Sequence, residues 1–364
     1  MRLALDAAAV PAKPRLMNAP MTFNDRRLHD GLLTIDSHID IPWPPGPSPF
    51  EDGPRRVDLP KMRRGGIGAG CFAAYIPQGK RDAAGFAAAH ERAIAMLHAI
   101  RGMGEARTGA IPAHIATTVA EIEAARLAGG PAVIPVVENG HAIGETLDHL
   151  DAFRALGARY MTLTHNGHNA LADSSVPRRD LGDGPTLHGG LSDLGREAIG
   201  RMNRLGMMVD VSHTSKAAML QAIAASSTPV MATHSSIRAL CDHPRNLDDE
   251  QLDALAESGG VVQVTLVSFF LKAGKKESEV TLDDFLDHID YAVQRVGIAH
   301  VGIGSDFDGG GGVVGWRDAG ESANVTAELM RRGYDQPAIA ALWGGNFLRL
   351  MRLAEETSQW QPVP

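Results

Sequence analysis

The chain has 364 residues, 44% of them hydrophobic, with a formal net charge of −8 at pH 7. That length buries a large core, as one barrel-sized domain or two smaller ones. The acidic balance, with no Lys/Arg stripe interleaved with aromatics, argues against a nucleic-acid partner and favours a small-molecule substrate. Only two cysteines occur, Cys71 and Cys241, which excludes a disulfide framework and a four-cysteine zinc site and points to buried thiols in a reducing compartment.

Residues 1–30 read as an N-terminal extension, unstructured or draped over the domain. The opening MRLALDAAAVPAKPRLMNAP is interrupted by Asp6 and Pro11 before an apolar stretch can form, so it does not read as a signal peptide. No uncharged apolar run approaches the ~20 residues that span a bilayer. A cytoplasmic protein with no membrane partner is expected.

From 31 to 355 short apolar runs alternate with longer Ala/Leu/Arg/Glu-rich segments of helical period, and 356–364 form a tail. The runs lie near 32–38, 67–76, 132–138, 159–165, 206–213, 229–234, 260–267 and 300–306. Between them helices are predicted over 82–103, 115–128, 190–205, 215–226, 248–258 and 281–297, with SDLGRE and TLDDF as capped starts. This alternation predicts a single α/β domain, a (β/α)8 TIM barrel, which the His, Asp and Glu residues at its strand ends make one of the metal-dependent hydrolase type. An open doubly wound sheet would show a phosphate-binding glycine turn after its first strand. Here the first strand runs into the proline-rich IPWPPGPSPF, and the glycines of RGGIGAG precede a strand. DGGGGVVGWRDAG, beginning at Asp308, reads as a mobile loop over the barrel mouth.

Polar residues fall where a barrel places its active site, at the C-terminal ends of the strands. LLTIDSHID closes on His38 and Asp40, which by strand alternation share a face with Asp36. Glu138 ends VIPVVE, His213 follows MMVDVS, His234 ends PVMATH and Asp306 follows VGIGS. Imidazole with carboxylate suits zinc better than magnesium or calcium. Five ligands exceed one catalytic zinc, so two Zn2+ ions are expected, His38 and Asp40 on one, His213 and His234 on the other, with Glu138 and a water or hydroxide bridging them. Asp306 is the expected acid/base, His165 at the end of YMTLTH the group that polarises a substrate carbonyl, and Asp36 a carboxylate orienting a histidine. Arg245, in the loop DHPRN, has the planar fork that holds a substrate carboxylate, against the plainer reading of an exposed surface charge. Asp308 reads as a turn residue, and His141, His168, His188 and His243 as structural or exposed.

The motifs DSHID, VENGH, LTHN with NALADS, GLSDLGREAIGRMNRLGMMVDVSH, THSSIRALCDHPRN, GIGSDFDG and WGGNFLRLM run in order from about residue 32 to 352. As a set they resemble the membrane (renal) dipeptidase family of amidohydrolase-like barrels. The resemblance implies two zinc ions in the roles above, His165 and Arg245 as substrate-binding residues, Asp306 as proton-transfer group, a dipeptide substrate, with an L- or a D-residue at its C-terminal position left open, and a homodimer. Asp40 and Glu138 stand where wider relatives carry a second histidine and a carboxylated lysine, which favours the dipeptidase branch. Phe269 and Phe270 stand where a tyrosine is expected in animal members. Two other readings stay open: a metallo-amidohydrolase acting on N-acyl amino acids, lactones or other small amides, and a non-catalytic barrel that binds small molecules.

Overall fold

In the computed structural model residues 21–361 are described. Of the expected extension and tail, residues 1–20 and 362–364 lie outside them. Eight parallel strands are present: β1 (Ile35–Asp40), β2 (Ala69–Tyr75), β3 (Ala132–Glu138), β4 (Tyr160–Thr162), β5 (Met208–Asp210), β6 (Met231–Ala232), β7 (Val261–Val264) and β8 (Val301–Ile303). Each pairs with the next, and a stub, His114–Ile115, lies beside the start of β3. The sheet closes just past β8, where the Asp306 N–H donates to the His38 carbonyl at 3.0 Å and the Asp40 N–H to the Phe307 carbonyl at 2.9 Å. The result is the predicted barrel. Several strands are shorter than the apolar runs containing them, because the last residues leave the ladder and form the mouth.

The six predicted helices are present within one to four residues of their expected starts. Ser192 caps one by accepting from the Gly195 N–H, and Thr281 with Asp284 forms a capping box on another. Part of the expected extension is itself a helix, Phe23–Gly31, started by a Thr22/Asp25 capping box. It is tied down by His29, whose ring lies 2.8 Å from the Gly65 carbonyl and 2.6 Å from the Thr326 hydroxyl.

Strand alternation sorts the core into two clusters. Ile35, Cys71, Ile134, Val136, Tyr160, Met208, Met231 and Val261 pack together with Phe347 and Met351 of the helix Asn346–Glu356. Phe72, Val133, Val137, Met161, Val209 and Val262 belong to the cluster shared with the surrounding helices. The first set lines the barrel, so Glu138, Asp210 and Thr233, which continue its parity, project into the lumen.

Strict alternation fails on β1. Asp36 pairs with Gly70 and Ile39 with Phe72, so β1 carries one residue more than β2 between them. Ser37 keeps the inward parity of Ile35 and reaches the carbonyls of Thr233 and Ile303 at 2.8 and 3.0 Å, while the extra residue sends Ile39 to the outer cluster and leaves His38 on the lumen side. His38 and Asp40 stay together, but Asp36 accepts backbone N–H groups of Ser305 (2.9 Å) and His38 (3.3 Å) and orients no imidazole.

The glycine-rich segment after Asp308 is pinned, where the sequence suggested a mobile loop. Trp316 is fully buried against Phe285, Phe307 and Trp343, and bridges join Gly311 to Val267 and Val314 to Thr281. Asp308 has φ 64° and accepts from the N–H groups of Arg56 and Val57, consistent with its reading as a turn residue. Among the described residues no helix is long and apolar enough to cross a membrane.

Candidate metal centre

His38, Asp40, Glu138, His213 and His234 meet at the mouth of the barrel. Glu138 stands between two sets of imidazoles and uses a different oxygen for each. Its Oε1 lies 3.1 Å from His213 Nε2 and 3.4 Å from His234 Nε2, and those two nitrogens are 3.0 Å apart. Its Oε2 lies 3.7 Å from His38 Nε2, which is 3.8 Å from Asp40 Oδ1. Two donors on one tetrahedral zinc, each about 2.0–2.1 Å from it, stand about 3.3 Å apart. The His213/His234 triangle has that spacing, and the His38/Asp40 triangle is wider, with all three of its ligand atoms within 4.8 Å of one another.

The hydrogen bonds on the far side of each ring point the same way. His38 Nδ1 meets the Tyr160 hydroxyl at 2.8 Å, and that hydroxyl donates to the Ser37 carbonyl, so the ring is the donor. His213 Nδ1 is 3.2 Å from Asn166 Oδ1, and His234 Nδ1 is 2.9 Å from Thr233 Oγ1. With Nδ1 carrying the hydrogen, each Nε2 offers a lone pair toward Glu138. His38 Nε2 and Asp40 Oδ1 are buried and lack any hydrogen-bond partner, an arrangement that costs free energy unless a cation satisfies it. The donor set therefore fits a metal.

Electrostatics agree. Burial works against charge on His38, but Glu138, Asp40 and Asp306 overcome it and raise its pKa to about 10, so the carboxylates draw in positive charge, as a proton if nothing else. Burial opposes ionisation of Glu138 too, yet His38, His213 and His234 hold its carboxyl well below the usual range. Asp40 is pushed well up by burial and by Glu138.

Asp306 has φ 59° and His213 φ 66°. Left-handed backbone at residues other than glycine is strained. Here it turns side chains that lie beyond the strand ends back into the mouth. Burial and Glu138 raise Asp306 to about 7, against the pull of His38 and Arg245. Gly309 makes room beside it, since a β-carbon there would collide with Asp306 Oδ1 and stand 2.6 Å from Asp40 Oδ2, so any other residue must displace those carboxylates. The His165 ring packs 4.2 Å from that of His213 and 4.9 Å from Tyr75, and burial lowers its pKa, keeping it neutral.

Arg245 is only 3% exposed, which removes the surface-charge reading. Its Nη2 donates to the His234 carbonyl at 3.1 Å, its Nη1 lies 3.4 Å from Ser235 Oγ, and its Nε has no partner. The guanidinium stands 5.3 Å from the centre of the Phe270 ring, and burial brings its pKa down to about 10. His168 and His188 are tied to backbone carbonyls and belong to the scaffold. Tyr160, Asn166, Thr233 and Asp210 escape a reading of motif ends. Only the lumen parity of Tyr160, Asp210 and Thr233 on their strands signals them.

The profile of the membrane dipeptidase family (peptidase family M19) matches residues 24–363. This chain belongs to that family. Dipeptidase verJ of Clonostachys rogersoniana is 35% identical over 315 residues, 83% of this chain and 76% of that protein. Dipeptidase 3 of Mus musculus is 32% identical over 84% of this chain and 59% of its own length. Among solved structures, the probable dipeptidase PvdM of Pseudomonas aeruginosa superposes with a TM-score of 0.86 at 31% identity, covering 92% of this chain and 98% of that one. A metallo peptidase from Rhodobacter sphaeroides, liganded with a phosphinate mimic of the dipeptide L-Ala-D-Ala, gives 0.77 at 28% identity, over 89% and 99%. The family is one of metal-dependent dipeptidases, in keeping with the barrel and its ligand-rich mouth.

Proposed function

We propose that this membrane dipeptidase family member cleaves dipeptides with two zinc ions, one between His38 and Asp40, the other between His213 and His234, with Glu138 shared. The observation that carries this reading is the pair of donor triangles joined through the two oxygens of one carboxylate. Bound there, such ions supply Lewis-acid polarisation and an activated water.

The remaining chemistry belongs to the chain. Arg245 has a buried nitrogen without a partner, and a substrate carboxylate supplies that partner as a charge-assisted bond. Asp306, raised to about 7, holds the amine end of the substrate, and near neutral pH it would take a proton from the attacking water and pass it to the nitrogen of the breaking peptide bond. His165 donates a hydrogen bond to the carbonyl oxygen as charge develops there. A substrate gripped at both its ends is two residues long. The phosphinate-bound relative supports a D-residue at the C-terminal position.

A second reading draws on Arg245 alone. A carboxylate clamp does not demand a free amine, so N-acyl amino acids also satisfy it. Metal analysis of the purified protein, with turnover of L,L- and L,D-dipeptides set against N-acyl amino acids, decides between them. Two zinc equivalents and dipeptide turnover are expected. Two equivalents with activity only on acylated substrates would transfer the site to the second reading.

A further inference from the structure

The Asp210 carboxyl lies beneath the metal centre, where four donors converge on it. The hydroxyls of Thr162 and Thr233 donate to Oδ2 at 2.6 and 2.7 Å, and the N–H groups of Ser212 and Thr233 to Oδ1 at 2.9 and 3.0 Å. Among the described residues all its side-chain hydrogen-bond partners are donors, so it has no open position as a metal ligand, although it stands within reach of His38 and His234.

What Asp210 does instead follows from a count of hydrogens. A threonine hydroxyl has one. Committed to Asp210, it leaves Thr233 Oγ1 with lone pairs only, and these face His234 Nδ1 at 2.9 Å. His234 Nδ1 must then carry the ring hydrogen, and Nε2 stands bare toward Glu138 Oε1 and His213 Nε2. The same hydroxyl lies 3.5 Å from His38 Nδ1, so one oxygen abuts a histidine from each triangle.

We propose that Asp210 and Thr233 are positioning residues: the carboxylate sets the direction of the threonine hydroxyl, and that hydroxyl sets the His234 tautomer that can bind a cation. This inference rests on the two-metal reading above. A purely structural role, in which Asp210 merely ties β4, β5 and β6 together, predicts no dependence on hydrogen-bond direction.

Asp210→Asn separates the two. The amide keeps the shape, but the NH2 that takes the place of Oδ2 must donate, one hydrogen to Thr162 Oγ1 and one to Thr233 Oγ1. The threonine hydrogen is then released toward His234 Nδ1, and Nε2 gains a hydrogen in place of its lone pair. Chelator competition with Zn2+ should show one equivalent held as in wild type and the other weakened 10- to 100-fold, the usual effect of losing a partner behind a metal-binding histidine. Thr233→Val should weaken the same equivalent, and Thr233→Ser should restore it. Nitrogen-15 NMR of the metal-free protein at neutral pH reads the tautomer directly, with Nδ1–H expected for His234 in wild type and Nε2–H in Asp210→Asn. Wild-type affinity for both equivalents in folded Asp210→Asn and Thr233→Val, or an Nε2–H tautomer in wild type, overturns the proposal. A wild-type protein that takes up fewer than two zinc ions would count against the two-metal reading instead, while the NMR arm still decides the tautomer.

Discussion

Arg245→Met replaces a buried guanidinium by an uncharged side chain of similar length, and it should move stability and activity in opposite directions. Burial brings Arg245 from 12.5 to about 10, so holding it charged in the free protein costs about 3 kcal/mol at ~1.4 kcal/mol per pH unit. Methionine removes that cost. It also removes the bond to the His234 carbonyl and the longer contact with Ser235, each worth about 1 kcal/mol. The net expectation is a gain of about 1–2 kcal/mol in urea unfolding at pH 7. Against this, the substrate carboxylate loses its charged partner in a buried site, worth about 3–5 kcal/mol. That lowers kcat/KM for a dipeptide about 10²- to 10⁴-fold, chiefly through KM. The control substrate is the same dipeptide with its C-terminus amidated, for which wild type and variant should differ by less than about tenfold. A variant that is less stable than wild type, or that loses activity equally on acid and amide, would show that Arg245 serves the fold and does not read a carboxylate.

Other expectations follow from the same geometry. Asp306→Asn should cut kcat by about 10²- to 10⁴-fold, the range of general acid–base catalysis, while inductively coupled plasma analysis finds zinc content unchanged; loss of metal would make Asp306 a ligand. Gly309→Ala drives a methyl group into Asp306 and Asp40, so both zinc content and turnover should fall while circular dichroism stays native. His29 is a neutral, buried donor to Gly65, lowered by burial from 6.5 to about 4. The unfolded chain takes up its proton first, so stability present above pH 6.5 is lost as pH falls toward 4. Between pH 7.5 and 4.5 wild type should lose about 2–3 kcal/mol more than His29→Gln in urea unfolding, and parallel pH profiles would remove His29 from acid unfolding.

Much of the architecture was open to reading because its causes are local. Apolar runs and helical periods are properties of neighbouring residues, as are the caps at Ser192 and Thr281, so strands such as Ala132–Glu138 and helices such as Ala83–Gly102 lie where the pattern predicts. The helices Phe23–Gly31 and Asn346–Glu356 went unread, since the first hangs on His29 reaching Gly65 and Thr326, and the second on packing against the residues that line the barrel.

The sequence alone determined which side chains end the strands, and with them His38, Asp40, Glu138, His213, His234, His165 and Asp306 as candidates, because a barrel exposes strand ends at one face whatever its details. Tertiary structure alone decided their use. The bulge in β1 that puts His38 on the lumen side, the left-handed backbone at His213 and Asp306, the burial of Arg245, and the carboxylate of Asp210 behind Thr233 depend on contacts between residues far apart in the chain. Hydrogen-bond direction and desolvation are set by whatever surrounds a group in space, and neighbours in sequence supply only a small part of those surroundings.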